Sequence, residues 1–331
     1  MADVAARAGV GTITVSRALR TPERVSAEVL ERVRAAIEAT GYVPNLAAGT
    51  LKSQRSRMVA AIVPTLRSAI FAETVDALAD GLRAQGLQLL IGVSGYSIEA
   101  EEAILRTLLG QQPVAVVLTG THHAPGVRTL LRARRLPVVE TWDLSEDPID
   151  RAVGFSNFDA ARAMTHALGA RGYRRIAFVG TPPGIEQRAA QRLAGYRAAM
   201  AGLGLEPDVA MLDELGVTIA SGERAAEVLL DRAVPPEAAF FVNDVTAFGA
   251  VQVCQRRGVS VPEGLAIAGF GDFELARASN PPLTTVRIPG ALIGATAARL
   301  VLERLAGDIG ADPAAPRGVD LGFEVISRRS A

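Results

Sequence analysis

The chain has 331 residues, 49% of them hydrophobic, with Lys+Arg and Asp+Glu balanced at 35 each. That length is too great for one small core and fits a small headpiece plus two mid-sized lobes, while a net charge of zero excludes a protein that binds nucleic acid with its whole surface. Cys254 is the only cysteine, which excludes an intrachain disulfide, and no segment has the pattern of a signal peptide or a membrane span, so a cytoplasmic protein without a membrane partner is expected.

The charge is unevenly placed. Residues 1–57 carry nine basic and five acidic side chains, a net +4 that leaves −4 on the remainder, the asymmetry expected if one end alone meets phosphate. Within that end, Asp3 to Arg17 (DVAARAGVGTITVSR) predicts helix, turn and second helix. Ala5 and Gly9 are four apart, a small residue where two helices approach and a glycine free to take the positive φ of a tight turn. Val4, Val10, Val15 and Leu19 are assigned to the apolar side, which leaves Thr12, Ile13, Ser16 and Arg17, with Thr14 among them, for a major groove. Ser26 is the expected N-cap of a third helix with Val29, Leu30, Val33 and Ile37 on one stripe and Gly41 as its stop. The run Tyr42 to Leu51 predicts a one- or two-turn helix from Asn45, weakened by Gly49 and mostly unfolded alone in water.

From Met58 onward, strand and helix alternate. Strand-like runs are Met58–Val63, Leu87–Val93, Val114–Leu118, Pro137–Glu140, Ile176–Val179, Ala238–Val242 and Leu265–Ala268. Alternation of this kind implies parallel sheets covered on both faces, and the segment's length favours two Rossmann-like lobes over one giant sheet. In such lobes, ligands bind at the C-terminal ends of the strands, which here are Thr65–Phe71, Thr119–His123, Glu140–Asp143, Thr181–Arg192, Asn243–Asp244 and Phe270–Asp272. Arg188 and Arg192, four apart near a helix start, point the same way and can grip a carboxylate. There is no P-loop, Gly269-Phe270-Gly271 is only a G-x-G, and neither His122-His123 nor any other grouping has metal-ligand or nucleophile spacing. No cofactor, metal or catalytic residue is therefore expected. Cys254 is read as a packing residue.

The motifs D-V-A-x-x-A-G-V, T-V-S-R, R-V-S and Y-V-P-N resemble the lactose-repressor/galactose-repressor (LacI/GalR) family of bacterial transcription regulators. The resemblance implies a helix-turn-helix headpiece over 1–44, a hinge helix and linker over 45–57, and an α/β periplasmic-binding-protein-like core of two Rossmann-like lobes over 58–331. The first lobe would take about 58–153 and 289–316, and the second about 154–288 and 317–331, with crossings near Gly154, Arg287 and Arg317. It further implies that Thr12, Ile13 and Arg17 contact bases, that Leu51 wedges into the minor groove with Asn45 and Ala48 beside it, and that Asp143, Arg192 and Asn243 bind effector hydroxyls. Thr65, Phe71, His123, Arg188 and Asp272 complete the expected effector set. The residues themselves leave alternatives: Leu51 can pack on a partner helix, Asp143 and Asn243 can cap turns, Arg192 can pair with an acidic neighbour, and Thr121 to His123 can be a structural turn.

Departures from the family pattern sharpen the expectation. The chain starts two residues before Asp3, without the residue that caps the first helix in relatives, so fraying is expected there, and Gly11 stands where the reading helix usually has a hydroxyl N-cap. An aromatic lid near Val217 and an aspartate at Gly271, common in sugar- and purine-binding relatives, are both absent. With Arg188 and Arg192 present, an acyclic sugar acid is the expected effector, and L-T-G-T-H-H-A-P (118–125), A-V-G-F-S-N-F (152–158), A-I-A-G-F (266–270) and D-L-G-F (320–323) resemble the gluconate-utilisation repressors of the family, although Ser156 replaces an acidic residue of theirs. The expectation is a homodimeric repressor on a near-palindromic DNA operator. Its rivals are a sugar-acid receptor with lost or weakened DNA binding, suggested by the short N-terminus, and an α/β enzyme acting on a sugar acid, against which the missing cofactor loop argues.

Overall fold

The computed structural model describes residues 1–42, 56–66, 69–182, 184, 186–212, 216–307 and 317–331. They form two compact units, Met1–Ser56 and Arg57–Ala331. Asn45, Ala48 and Leu51, with the hinge helix expected around them, lie outside the described residues.

The first unit holds α1 (Ala2–Ala8), α2 (Thr12–Arg20), a 3-10 turn at Pro22–Arg24 and α3 (Ala27–Thr40). Gly9 closes α1 at φ 63°, a left-handed conformation that lets the Val10 N–H turn back to the Ala5 carbonyl at 3.1 Å. Despite its uncapped start, α1 is regular from Ala2, with the Ala5 N–H bonded to the Met1 carbonyl at 3.0 Å. Gly11 and Ser26 are the N-caps of α2 and α3, but the Ser26 hydroxyl makes no capping bond. Val4, Ala5, Ala8, Val15, Ala18, Val33 and Ala36 form the buried core, with Val10, Val29, Leu30 and Ile37 around it. Leu19 was expected on the apolar side and is instead 37% exposed. The buried stripe of α2 runs through Val15 and Ala18 and leaves Leu19 on its rim.

The second unit is doubly wound. Its first lobe opens with β1 (Met58–Val63), α4 (Ala69–Arg83), β2 (Gln88–Val93), α5 (Ile98–Leu109), β3 (Ala115–Thr119), α6 (Pro125–Arg134), β4 (Val138–Thr141) and β5 (Arg151–Gly154). The second lobe follows with α7 (Asn157–Ala170), β6 (Ile176–Gly180), α8 (Gln187–Gly202), β7 (Asp208–Met211), α9 (Ile219–Leu230), β8 (Ala238–Phe241), α10 (Asp244–Arg257), β9 (Ala266–Gly271), α11 (Glu274–Ala278) and β10 (Thr284–Arg287). The chain then returns through α12 (Gly290–Ala306), β11 (Gly318–Asp320) and β12 (Glu324–Ile326). The sheets are ordered β11-β5-β4-β3-β1-β2 and β12-β10-β9-β8-β6-β7. All pairings are parallel except β10 with β12.

The central strands show why. MVAAIV in β1, IAFVG in β6 and AIAGFG in β9 are apolar almost without interruption and buried on both faces, as helices on either side of a parallel sheet require. One expected boundary moves. β11 pairs in parallel with β5, Gly318 against Ala152 and Asp320 against Gly154, so residues 318–320 belong to the first lobe. The third crossing therefore lies between Asp320 and Glu324 and not near Arg317, because a parallel partner for β5 holds the chain back. The Leu321 N–H bonds to the Gly154 carbonyl at 2.8 Å, which ties the third crossing to the first, and Arg287 Nη1 donates to Glu324 at 3.0 Å, which ties it to the second.

Candidate functional site

In the first unit, α2 presents Ile13, 74% exposed, with Thr12 and Arg17 exposed and Thr14 and Ser16 half-buried. Arg20, which sequence reasoning passed over, donates to the Ser16 hydroxyl one turn away and adds a second cation to the last turn of the helix. The face thus combines an apolar tip, hydroxyls and two guanidiniums, the chemistry that meets thymine methyls, base edges and phosphates.

In the second unit the strand ends of the two lobes face each other. Ser94, Tyr96, Thr121, His122 and Asp143 from the first lobe and Gly184, Glu186, Gln187 and Arg188 from the second line a cavity of about 430 Å³. A second cavity of about 320 Å³ is lined by Trp142, Asp272, Phe273, Arg277, Arg287 and Leu292. Aromatic rings run through the region in sequence: Phe71 meets Trp142 edge-on at 5.3 Å, Trp142 meets Phe155 at 6.1 Å, and Phe155 meets Phe270 at 6.1 Å. The two arginines lie on this spine, Arg188 over Phe71 at 5.3 Å and Arg192 over Phe270 at 4.8 Å, so rings fix both guanidinium planes. Tyr96, Trp142 and Asp272, at three strand ends, all hold positive φ (68°, 69° and 55°), a sparsely populated region that recurs where a site over-determines its backbone.

Polar bonds cross the cleft. Asp143 accepts from the Thr121 hydroxyl at 2.9 Å and from Gln191 Nε2 of the opposite lobe at 3.1 Å. Arg192 Nη1 donates to Asn157 Oδ1 at 2.8 Å, and Asn157 Nδ2 donates to the Trp142 carbonyl at 3.1 Å. Four buried polar atoms here, Trp142 Nε1, Thr181 Oγ1, Gln191 Oε1 and Arg192 Nε, have no hydrogen-bond partner among the described residues. Each such atom costs about 1–3 kcal/mol, so a cluster of donors and acceptors at one place marks a surface built for a polar ligand. Burial pulls the Arg192 guanidinium below its ordinary value, with Glu186 opposing, and burial first, then Glu186, pushes the Tyr96 phenol up to about 12.

Residues 1–45 match the family described as bacterial regulatory proteins, lacI family, and residues 165–331 match the periplasmic binding protein-like domain. The HTH-type transcriptional regulator GntR of Pseudomonas aeruginosa is 38% identical over 329 residues, 99% of this chain and 94% of that protein. The chain belongs to the lacI family. It is accordingly a DNA-binding transcriptional repressor and not an enzyme. Among solved structures, a LacI-family regulator from Silicibacter pomeroyi superposes with a TM-score of 0.91 at 32% identity, covering 99% of this chain and 98% of that one. The CelR–cellobiose complex superposes with a TM-score of 0.71 at 30% identity over 99% and 98% of the two chains.

Within this lacI-family core the cleft gathers some of the expected residues and sets others apart. Phe71, Asp143, Arg188 and Arg192 come together as described, and Thr65 lies half-buried at the end of β1. His123 does not face the cleft. Its side chain is fully buried, with Nδ1 2.7 Å from Glu101 and Nε2 3.3 Å from Glu140, because these two carboxylates capture it while His122 lines the cavity. Burial works against its charge, but the Glu101 bond and the Glu140 contact outweigh it and raise the imidazole to about 9. Asn243 is the N-cap of α10, its side-chain Oδ1 accepting the Thr246 N–H at 3.1 Å, so the capping alternative is the one observed. Asp272 is also committed, one oxygen to Arg287 at 2.8 Å and the other to Arg328 at 2.5 Å.

The departures noted in the sequence have structural reasons. Val217 packs on the apolar core of the second lobe. Gly271 has φ 129°, and a Cβ there would sit 2.3 Å from the Phe273 ring, so an aspartate does not fit while that ring is in place. Tyr96, Trp142, Asn157, Glu186 and Gln191 were not singled out from sequence. Gln191 and Glu186 flank the arginines and Asn157 closes the G-F-S-N motif, signals that were available, whereas nothing local marks Tyr96. Among the described residues, no group of three or more His, Cys, Asp or Glu is placed to hold a metal, and no helix is long and apolar enough to cross a membrane.

Proposed function

We propose that the protein is a homodimeric repressor whose affinity for a DNA operator is controlled by a sugar acid, gluconate or a related aldonate, bound between the lobes. The observation that carries this reading is the pair Arg188 and Arg192, each side chain 7% exposed and stacked on a ring, beside four buried unpartnered polar atoms. A bidentate cation pair suits a carboxylate, and the mixed donors and acceptors suit the hydroxyls of an open-chain polyol. The structural relative CelR in complex with cellobiose supports a saccharide in this fold. On the DNA side, Thr12, Ile13 and Arg17 would read bases, and Leu51 with Asn45 and Ala48 would engage the minor groove.

The first test is fluorescence anisotropy of the full-length protein on its own labelled upstream DNA, titrated with gluconate at fixed salt. Relief of binding by gluconate establishes repressor and effector class together. Tight binding indifferent to gluconate keeps the repressor and rejects the effector. Replacing Leu51 with Ala should weaken specific binding far more than binding to random DNA, and equal losses on both would reject the wedge.

A further inference from the structure

The arginine pair already holds a carboxylate. Glu186 is the N-cap of α8, yet its side chain makes no bond to the helix N–H groups. Its oxygens lie 2.8 Å from Arg188 Nη2 and 3.9 Å from Arg192 Nη2 instead, and the side chain is only 12% exposed. Asp143 takes hydroxyl and amide donors from Thr121, Gln191 and Leu144 and no arginine. Glu186 and Asp143 thus face the two guanidiniums, Glu99 and Glu101 line the same cavity, and the Glu186 charge is also felt by the buried Tyr96 phenol. An acid arriving beside Glu186 would bury a further anion where each guanidinium already faces a carboxylate, which desolvation makes costly. An acid that takes the place of Glu186 meets the same two guanidiniums and leaves the charge count unchanged.

We propose that Glu186 is an internal substitute for the ligand's carboxylate, occupying Arg188 and Arg192 until an acid displaces it, and so lowers the cleft's apparent affinity for the acid. The proposal rests on the sugar-acid reading. A neutral polyol offers nothing that replaces the Glu186 charge on the arginines, whereas an aldonate offers the same group on a molecule that also carries hydroxyls. Apparent affinity is lowered because the pair is free only for the fraction of time Glu186 is away.

The test uses the full-length protein and its Glu186→Gln and Glu186→Ala variants, titrated calorimetrically with gluconate and with its neutral counterpart glucitol. Thermal melting of each in sodium sulfate and in sodium chloride at equal ionic strength is the second readout. Both variants should bind gluconate about tenfold tighter than the parent, as expected if Glu186 holds the pair about nine-tenths of the time, and should be stabilised by sulfate more than the parent is. Unchanged or weaker gluconate binding by both variants overturns the proposal. Should gluconate bind none of the three, the sugar-acid reading falls by itself, and melting still decides the role of Glu186: sulfate stabilisation confined to the variants sustains it, and equal responses overturn it.

Discussion

His123 behaves as a buried cation clamped by two carboxylates from different elements, Glu101 on α5 and Glu140 on β4. Its folded-state value, raised to about 9, exceeds the roughly 6.5 of an unfolded histidine. The stability it contributes is therefore complete below pH 6.5 and is lost as pH rises through 9. Denaturant unfolding followed from pH 6 to 10 should show that loss, and His123→Gln, which strands buried Glu140, should cost about 3 kcal/mol at pH 7 and flatten the profile. On the headpiece the reverse holds: Ile13 is 74% exposed, so Ile13→Ala should leave the melting of the unit within about 0.5 kcal/mol while lowering operator discrimination by about 1 kcal/mol in competitive anisotropy. Sequence directed attention to the cleft where the local pattern was unusual, as with two arginines one turn apart, which the structure places there. It failed for His123, whose partners are 22 and 17 residues away and become neighbours only when α5, β3 and β4 assemble.

At the scale of elements, the α1–α2 turn depends on the left-handed Gly9. Gly9→Ala should destabilise the headpiece by about 1 kcal/mol, seen as faster amide exchange across α1 and α2 with the core unaffected. The elements legible in the sequence were those whose burial is written in their own residues: β1, β3, β6, β8 and β9 are apolar runs. The strands that escaped notice, β5, β7, β10, β11 and β12, have only three or four residues and carry Arg151, Asp208, Arg287, Asp320 and Glu324. They are strands because a neighbour offers them a ladder, as β5 does for β11 and β10 for β12, and a short polar run contains no sign of that neighbour.

For the core as a whole, an apolar cluster that includes Trp142, Phe155 and Phe270 runs through both lobes, and a few polar bonds across the cleft add to it. Gln191→Ala removes the bond from the second lobe to Asp143 and should weaken lobe closure by about 1 kcal/mol, measurable as a larger radius of gyration of the ligand-free core in solution scattering. The division into two lobes could be read from alternation and length, but which side claimed residues 318–320 could not, since three residues of Gly-Val-Asp fit either sheet.

The three crossings are bonded to one another, Leu321 to Gly154 and Arg287 to Glu324, and that makes them a single mechanical part. One tether would let a lobe swivel freely, and two would still permit a twist between them. Three fastened side by side leave a door on one set of pins, able to swing and little else. A change at the cleft that alters the spacing of the lobes would then be expressed chiefly as one angle.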